Sequence, residues 1–118
     1  MHNYKKLEIY AAALELTKQI YAITKQWPEE EKYVLTPQIR RSSISVQSNI
    51  CEGSARISDA DFIRFLYSAY ASLQETESHL LLAKHLNYIK EAEYTALSTK
   101  IDSLSRRLYS FIGSLRRK

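Results

Sequence analysis

The side chains best suited to chemistry in this 118-residue sequence are one thiol and one carboxylate–imidazole pair. Cys51 is the only cysteine, so it has no disulfide partner within the chain and no second thiol for a zinc site. As a nucleophile it would need a neighbouring base to raise its thiolate fraction, and the uncharged run 42–51 supplies none. The sequence predicts a small, buried, structural thiol and a reducing compartment.

Glu75 and His79 are four residues apart, which places them on one face of a helix. A di-iron bundle needs the pattern Glu-x-x-His twice, and the chain has no such pattern. A phosphate loop needs several glycines, and the chain has two, Gly53 and Gly113. The sequence therefore predicts no metal, no cofactor and no catalytic site, and we expect that the protein is not an enzyme.

A polar stripe follows the helix predicted around Cys51. Glu52 and Arg56 are four residues apart with the acid first, which is the favourable order for a helix pair. The stripe could recognise a backbone or a base, or it could form a hydrogen-bonded network that fixes the register of packed helices. We favour the structural interpretation. The stripe consists of Ser45, Asn49, Glu52 and Arg56.

Positive charge is unevenly distributed along the chain. The net charge is +4, from 17 Lys and Arg against 13 Asp and Glu, and residues 106–118 carry five positive and no negative groups. Such a region can bind nucleic acid, or it can be a solvated helix end whose cations complement the helix dipole. Arg41 and Arg56 could also form internal ion pairs. If nucleic acid binds, the predicted contact residues are Arg40, Arg41, Arg56, Arg106, Arg107, Arg116, Arg117 and Lys118.

The scarcity of Gly and Pro, two residues each, and the helical spacing of apolar residues predict an all-α fold. Thr36 as a cap and Pro37 at the first helical position predict the start of a second helix. Ser58 before two acids predicts the start of a third helix, and Asn87 is expected to stop it in a left-handed conformation. The predicted helices cover residues 5–26, 37–56, 59–86 and 90–115.

These helices, joined by short connections, predict one antiparallel up-down-up-down four-helix bundle, a single domain over residues 1–118. The first helix carries two apolar rows, one through Ile9 and Ile20 and one through Tyr10 and Tyr21. One bundle core needs a single row, so the second predicts contact between subunits. No stretch reaches the roughly 18 apolar residues of a membrane span, and a cytoplasmic location is expected.

Six short motifs spread over most of the chain carry a resemblance to a known family. They are Tyr4-x-x-Leu7, Trp27-Pro28-x-x-Glu31-x-Tyr33-x-Leu35, Gln38-Ile-Arg-Arg41, Ser45-x-x-Ser48-Asn49-Ile50-x-Glu52-Gly53-x-x-Arg56, Phe62-x-x-Phe65-Leu66 and Ser72-Leu73-x-Glu75. In order and spacing the chain resembles the small bacterial four-helix-bundle family named for open reading frames in ribosomal RNA intervening sequences. That family includes the accessory variability protein of diversity-generating retroelements.

The resemblance implies a subunit of a ring-like homopentamer with a basic surface. In the retroelement members it implies an accessory role beside a reverse transcriptase, with binding of nucleic acid. This chain departs from the family pattern at three places. Ser42-Ser43 replaces the usual alanines, Val46-Gln47 replaces Ile-Pro and so removes a helix kink, and Ala71 replaces Gly.

Two main functions follow from these observations, and an enzyme of undiscovered activity is a weaker third hypothesis. The leading hypothesis is a non-enzymatic, oligomeric protein that associates with RNA or DNA through basic surface residues. The alternative is a structural or protein-binding adapter that makes no contact with nucleic acid. In the alternative, the partner would dock on a tyrosine-rich face, either Tyr10 and Tyr21 or Tyr67 and Tyr70.

Overall fold

The computed structural model describes residues 1–118 as four α-helices and two short 3₁₀ turns, with no strand. The all-α prediction is therefore confirmed. The molecule measures 46 × 24 × 20 Å. None of the helices combines the length and the apolar character that a bilayer crossing requires. The helices are α1 (Glu8–Thr24), α2 (Leu35–Ser54), α3 (Asp59–His85) and α4 (Glu91–Arg116), and the 3₁₀ turns are Tyr4–Lys6 and Glu29–Glu31.

The start of α2 differs from the prediction, because Thr36 is not its cap. The helix begins two residues earlier than predicted, at Leu35, and the residue before it makes no side-chain cap. The Leu35 N–H donates instead to Glu31 Oε1 at 3.2 Å. A carboxylate is favourable at this positive helix end. Pro37 falls within the first turn, where its missing N–H costs no hydrogen bond.

The other helix ends follow the sequence more closely. Ser58 Oγ accepts the Asp61 N–H at 3.1 Å, as a helix cap does. Asn87 has φ of 63° and is the one non-glycine residue with positive φ, so the predicted left-handed stop is confirmed. α2 ends at Ser54, which leaves Arg56 beyond the helix that was predicted to include it.

The buried rows of α3 and α4 form much of the core. The seven buried residues of α3 repeat at alternating spacings of four and three, and they are Phe62, Leu66, Ala69, Leu73, Thr76, Leu80 and Ala83. In α4 burial departs from a strict seven-residue repeat near the end of the helix, where Phe111 is half-buried and Ile112 is buried. An α-helix has 3.6 residues per turn, so a strict seven-residue repeat drifts around a straight helix. The drift moves burial from Phe111 to Ile112.

The second row of α1 is split between the core and the surface. Thr17 and Thr24 are buried, whereas Leu14 and Tyr21 are 41% and 36% exposed. The Thr17 hydroxyl lies near the backbone oxygens of Ala13 and Ser43, at 3.1 and 3.2 Å, so it links α1 to α2. The exposed half of this row remains available to a partner.

Serine and threonine hydroxyls join α2 to α3. Ser42 Oγ lies 2.9 Å from Thr76 Oγ1, and Ser45 Oγ lies 2.9 Å from Ser72 Oγ. The residue numbers therefore rise along α2 as they fall along α3. Small side chains let two helices approach closely, and the hydroxyls satisfy each other within the contact. This explains why serines occupy the middle of α2.

A tyrosine in the α3–α4 connection fastens that connection to the start of α2. The Tyr88 hydroxyl donates to Glu31 Oε2 at 2.6 Å, while the other carboxylate oxygen caps Leu35. The hydrogen bond to Glu31, with smaller contributions from burial and nearby negative charge, raises the pKa of Tyr88 to about 12. Glu31 thus holds two connections together at one end of the bundle.

This geometry predicts a specific loss of stability at high pH. The raised pKa means that the protonated hydroxyl stabilises the folded state fully below the ordinary value of 10.0, and that this contribution disappears as the pH approaches about 12. We expect Tyr88→Phe to lower the melting temperature at neutral pH, and the gap from the wild type to close through that alkaline range. Tyr33→Phe is the control, because Tyr33 is 85% exposed. A gap that stays constant with pH would contradict the role of Tyr88.

Candidate nucleic-acid interface

The structure separates the eight predicted nucleic-acid residues into three regions. Arg40 and Arg41 lie near the start of α2, Arg56 follows the end of α2, and the remaining five lie on the last part of α4 and just after it. The three regions differ in how many of their cationic side chains already pair with an acid or donate to a hydrogen-bond acceptor of the protein.

The first region is a groove between the end of α1 and the start of α2. Three of the side chains that line it, Lys32, Arg40 and Arg41, are cationic, and none is acidic. The groove has a cavity volume of about 330 Å³. We call it the basic groove. Its lining residues are Tyr21, Lys32, Thr36, Pro37, Arg40, Arg41 and Ile44.

Arg40 is held in a defined position within the basic groove. Its Nε donates to Thr24 Oγ1 at 2.9 Å, and its guanidinium carbon lies 4.4 Å from the centroid of the Tyr21 ring. Arg41 is exposed and forms no ion pair with an acid. Lys32 lies 3.7 Å from Glu29, a weak surface pair. Sequence reasoning selected Arg40 and Arg41, but it missed Tyr21 and Thr24 as the residues that position Arg40.

The second region, at the end of α4, is partly neutralised. Arg106 pairs with Asp102, and Lys118 Nζ lies 3.9 Å from Asp59. The Arg116 guanidinium donates to the Tyr67 hydroxyl and lies over its ring, 5.4 Å from the centroid. The two other members, Arg107 and Arg117, form no ion pair.

The remaining region contains Arg56, which was also predicted to end the polar stripe of α2, and the structure divides that stripe. Asn49 Nδ2 donates to the Ser45 carbonyl at 2.8 Å and to Ser45 Oγ at 3.1 Å. Through Ser45 this pair is connected to Ser72 on α3. Glu52 and Arg56 form no ion pair with each other. The Arg56 guanidinium lies instead over the Phe65 ring, 4.6 Å from its centroid, because the helix has ended before it.

Cys51 is half-buried, so the prediction of a buried thiol is only partly right. Ile50 and Gly53 in the same turn of α2 are buried, whereas Cys51 lines a small cleft beside Tyr10 and Gln47. Burial, and then the neighbouring Tyr4 and Cys51, raise the pKa of Tyr10. Gln47 Oε1 is buried in this region without a hydrogen-bond partner.

The pair Glu75 and His79 is formed as the spacing predicts, with Nε2 and Oε2 3.2 Å apart. No third ligand joins it. Across the structure there is no group of three or more His, Cys, Asp or Glu side chains that could hold a metal ion. The arrangement is that of a surface helix pair.

Fold and site together define a small all-α bundle protein with a basic groove at one end. The chain belongs to the family described as 23S rRNA-intervening sequence protein, whose family model matches residues 5–110. The resemblance to the intervening-sequence family is therefore confirmed.

One solved structure supports the same assignment. It is the 1.70 Å crystal structure of a protein of unknown function from the S23 ribosomal protein family, from Bacteroides thetaiotaomicron VPI-5482. The two chains share 30% sequence identity with a TM-score of 0.79, over 88% of this chain and 97% of that chain. No curated protein matches the sequence.

Proposed function

We propose that this protein is a non-enzymatic homo-oligomer that associates with RNA or DNA through basic surface residues. The observation that supports this most is the basic groove, where Lys32, Arg40 and Arg41 line one cavity without an acid. Contacts from Arg and Lys to phosphates give affinity that depends on salt and little on sequence. Membership of a family named for an rRNA insertion points to the same class of ligand.

The proposed subunit is an antiparallel up-down-up-down bundle, which is supported by the order of the hydrogen bonds between sequence-adjacent helices. Between α2 and α3, Ser42 contacts Thr76 and Ser45 contacts Ser72. Between α3 and α4, Gln74 contacts Ser105 and Glu77 contacts Ser98, so in both pairs the residue numbers rise along one helix as they fall along the other. The resemblance to the family suggests a homopentamer, and retroelement relatives suggest a reverse transcriptase as a partner. At +4 per chain, five subunits would carry about +20, a field strong enough to attract polyanions. We also propose a cytoplasmic location.

The oligomer is tested by light scattering at micromolar protein concentration. Leu14 on α1 and Tyr109 on α4 are 41% and 67% exposed and lie outside the basic groove, and an oligomer would bury such groups. We expect a mass several times that of one chain. A mass of 13.7 kDa would reject the oligomer.

The nucleic-acid association is tested by electrophoretic mobility shift at low salt, with RNA and DNA probes of equal length. We expect both probes to be retarded by the wild-type protein, because phosphate contacts are common to RNA and DNA. Neither probe shifting at micromolar protein would contradict the proposed function.

The adapter alternative has one observation in its favour. Leu81, Leu82 and Leu86, near the end of α3, are 41%, 47% and 44% exposed, and clustered exposed leucines are typical of protein contacts. Of the tyrosines first considered for docking, Tyr67 already accepts a hydrogen bond from Arg116. Genomic context separates the two functions. A neighbouring reverse transcriptase gene or an rRNA insertion favours nucleic acid, and an unrelated operon favours the adapter.

Replacing Cys51 tests the non-enzymatic part of the proposal. Its thiol forms no hydrogen bond, the carboxylate in its cleft is that of Glu52, and no group of three metal-ligating side chains includes it. We expect Cys51→Ala to leave the oligomer mass and the affinity for RNA within about twofold of the wild type, since a half-buried thiol contributes mainly packing. A large loss of binding with an unchanged melting temperature would give Cys51 a functional role.

A further inference from the structure

The basic groove differs in charge from the other main clefts of the molecule. Its three ionisable cations face no acid in the lining. Each of the other four clefts has at least one carboxylate in its lining, so an anion entering it would meet a like charge. Those carboxylates belong to Glu15, Asp102, Glu52, and Glu91 together with Glu93.

Arg40 is the cation in the groove that is held by a hydrogen bond and an aromatic ring of α1. Thr24, which is buried, accepts the hydrogen bond from Nε, and the Tyr21 ring supports the guanidinium plane. The two terminal nitrogens of Arg40 have no acceptor in the protein. An arginine that is fixed in advance loses less conformational entropy when it binds a ligand, and its free nitrogens can donate to two oxygens of one anion.

We propose that the basic groove is a subsite for one backbone phosphate of a nucleic acid, with Arg40 as the fixed donor. Arg41 and Lys32 add mobile positive charge, and the Thr36 hydroxyl in the lining is a neutral donor of the kind that contacts phosphates. Tyr21 and Thr24 act as positioning residues for Arg40. This inference rests on the proposed function and assigns that function a place in the fold.

The first test compares two double variants that remove the same charge. Arg40→Gln with Arg41→Gln removes two cations from the groove, and Lys6→Gln with Lys100→Gln removes two exposed lysines that form no ion pair. Affinity for single-stranded RNA and DNA oligonucleotides is measured by fluorescence anisotropy. We expect the groove variant to lose about tenfold more affinity than the control, the scale of a charged hydrogen bond. Equal losses would overturn the subsite.

The second test removes the support of Arg40 while keeping its charge. Thr24→Val deletes the acceptor of Nε with little change in shape, and Thr99→Val, on the exposed face of α4, is the matched control. We expect Thr24→Val to weaken binding about threefold at every salt concentration, with the salt dependence of the wild type. Unchanged affinity, with an unchanged melting temperature, would overturn the positioning of Arg40 by Thr24.

A competition experiment with the labelled oligonucleotide probe identifies which kind of anion the basic groove binds. At matched ionic strength, we expect an unlabelled oligonucleotide to displace the probe, and inorganic phosphate and polyglutamate to fail. Displacement by phosphate would assign the groove to a free anion, and displacement by polyglutamate would assign it to an acidic peptide. Either result overturns the subsite for a nucleic-acid phosphate.

The oligomer mass of the variant with Arg40→Gln and Arg41→Gln is measured by light scattering in the same set of experiments. A mass reduced to one chain would place Arg40 and Arg41 at a contact between copies and would also overturn the subsite. The proposed function is contradicted by a different result, in which the wild-type protein binds neither RNA nor DNA.

Discussion

Gly53→Ala is expected to destabilise the protein by about 2 kcal/mol, which corresponds to a fall in melting temperature of roughly 8 °C. A Cβ at this position would lie 2.6 Å from Phe65 Cβ and 2.8 Å from Phe62 Cδ1. Phe65 Cβ is attached directly to the backbone of α3, so the two helices would have to move apart. Overpacking a core costs about 1–3 kcal/mol. Replacing Gly by Ala within a helix gains about 1 kcal/mol in helix propensity, so a cost at the upper end of that range leaves a net loss of about 2 kcal/mol.

The chain contains its own control for this prediction. At Gly113 a Cβ would meet only the end of the flexible Arg117 side chain, at 3.2 Å. Gly113→Ala is therefore expected to be neutral or to stabilise the helix by up to about 1 kcal/mol. Thermal unfolding followed by circular dichroism measures both variants. Equal melting temperatures for Gly53→Ala and the wild type would contradict the close approach of α2 and α3.

The second large effect is expected from reversing charge at the end of α4. Changing Arg106, Arg107, Arg116 and Arg117 to Glu takes the net charge of the chain from +4 to −4, since four reversals subtract eight. We expect affinity for RNA and DNA to fall about a hundredfold or more and its salt dependence to flatten, while the oligomer survives. Filter binding across a salt series and light scattering measure the two quantities.

A control with the same change in net charge separates a local site from the overall field. Changing Lys5, Lys6, Lys25 and Lys100 to Glu also subtracts eight charges, and none of these lysines forms an ion pair. We expect this control to lose less affinity than the variant of the α4 end. An unchanged affinity and salt slope after reversal of the four arginines would remove the α4 end from the interface.

Dissociation of the oligomer on changing Arg41 or Arg56 would favour a structural role for those two.

Much of the fold could be predicted from the sequence because burial repeats along each helix. The α3 row through Phe62 and Leu80 is buried throughout, and the left-handed stop at Asn87 lies where it was predicted. The misplaced start of α2 has a different cause. Its cap comes from Glu31, a residue outside the helix. The Tyr88 hydroxyl that holds the Glu31 carboxylate is 57 residues away in the sequence, and no local pattern encodes that contact.

The candidate site was less predictable because its geometry depends on contacts between helices. Runs of cations identify Arg40 and Arg41, but the contacts of Arg40 with Tyr21 and Thr24 depend on how α1 and α2 are rotated against each other. The same limit applies to Arg56. Its spacing from Glu52 favours a helix pair, yet α2 ends first and the guanidinium reaches Phe65.

The most direct test of the central claim is the salt dependence of nucleic-acid binding by the wild-type protein. The dissociation constant for a single-stranded RNA is measured over a series of salt concentrations. Each phosphate contact contributes about −0.7 to the slope of log affinity against log salt for a single strand, so three cations in the groove predict a slope of about −2 or steeper. No binding at low salt, or binding with a slope near zero, would contradict the account.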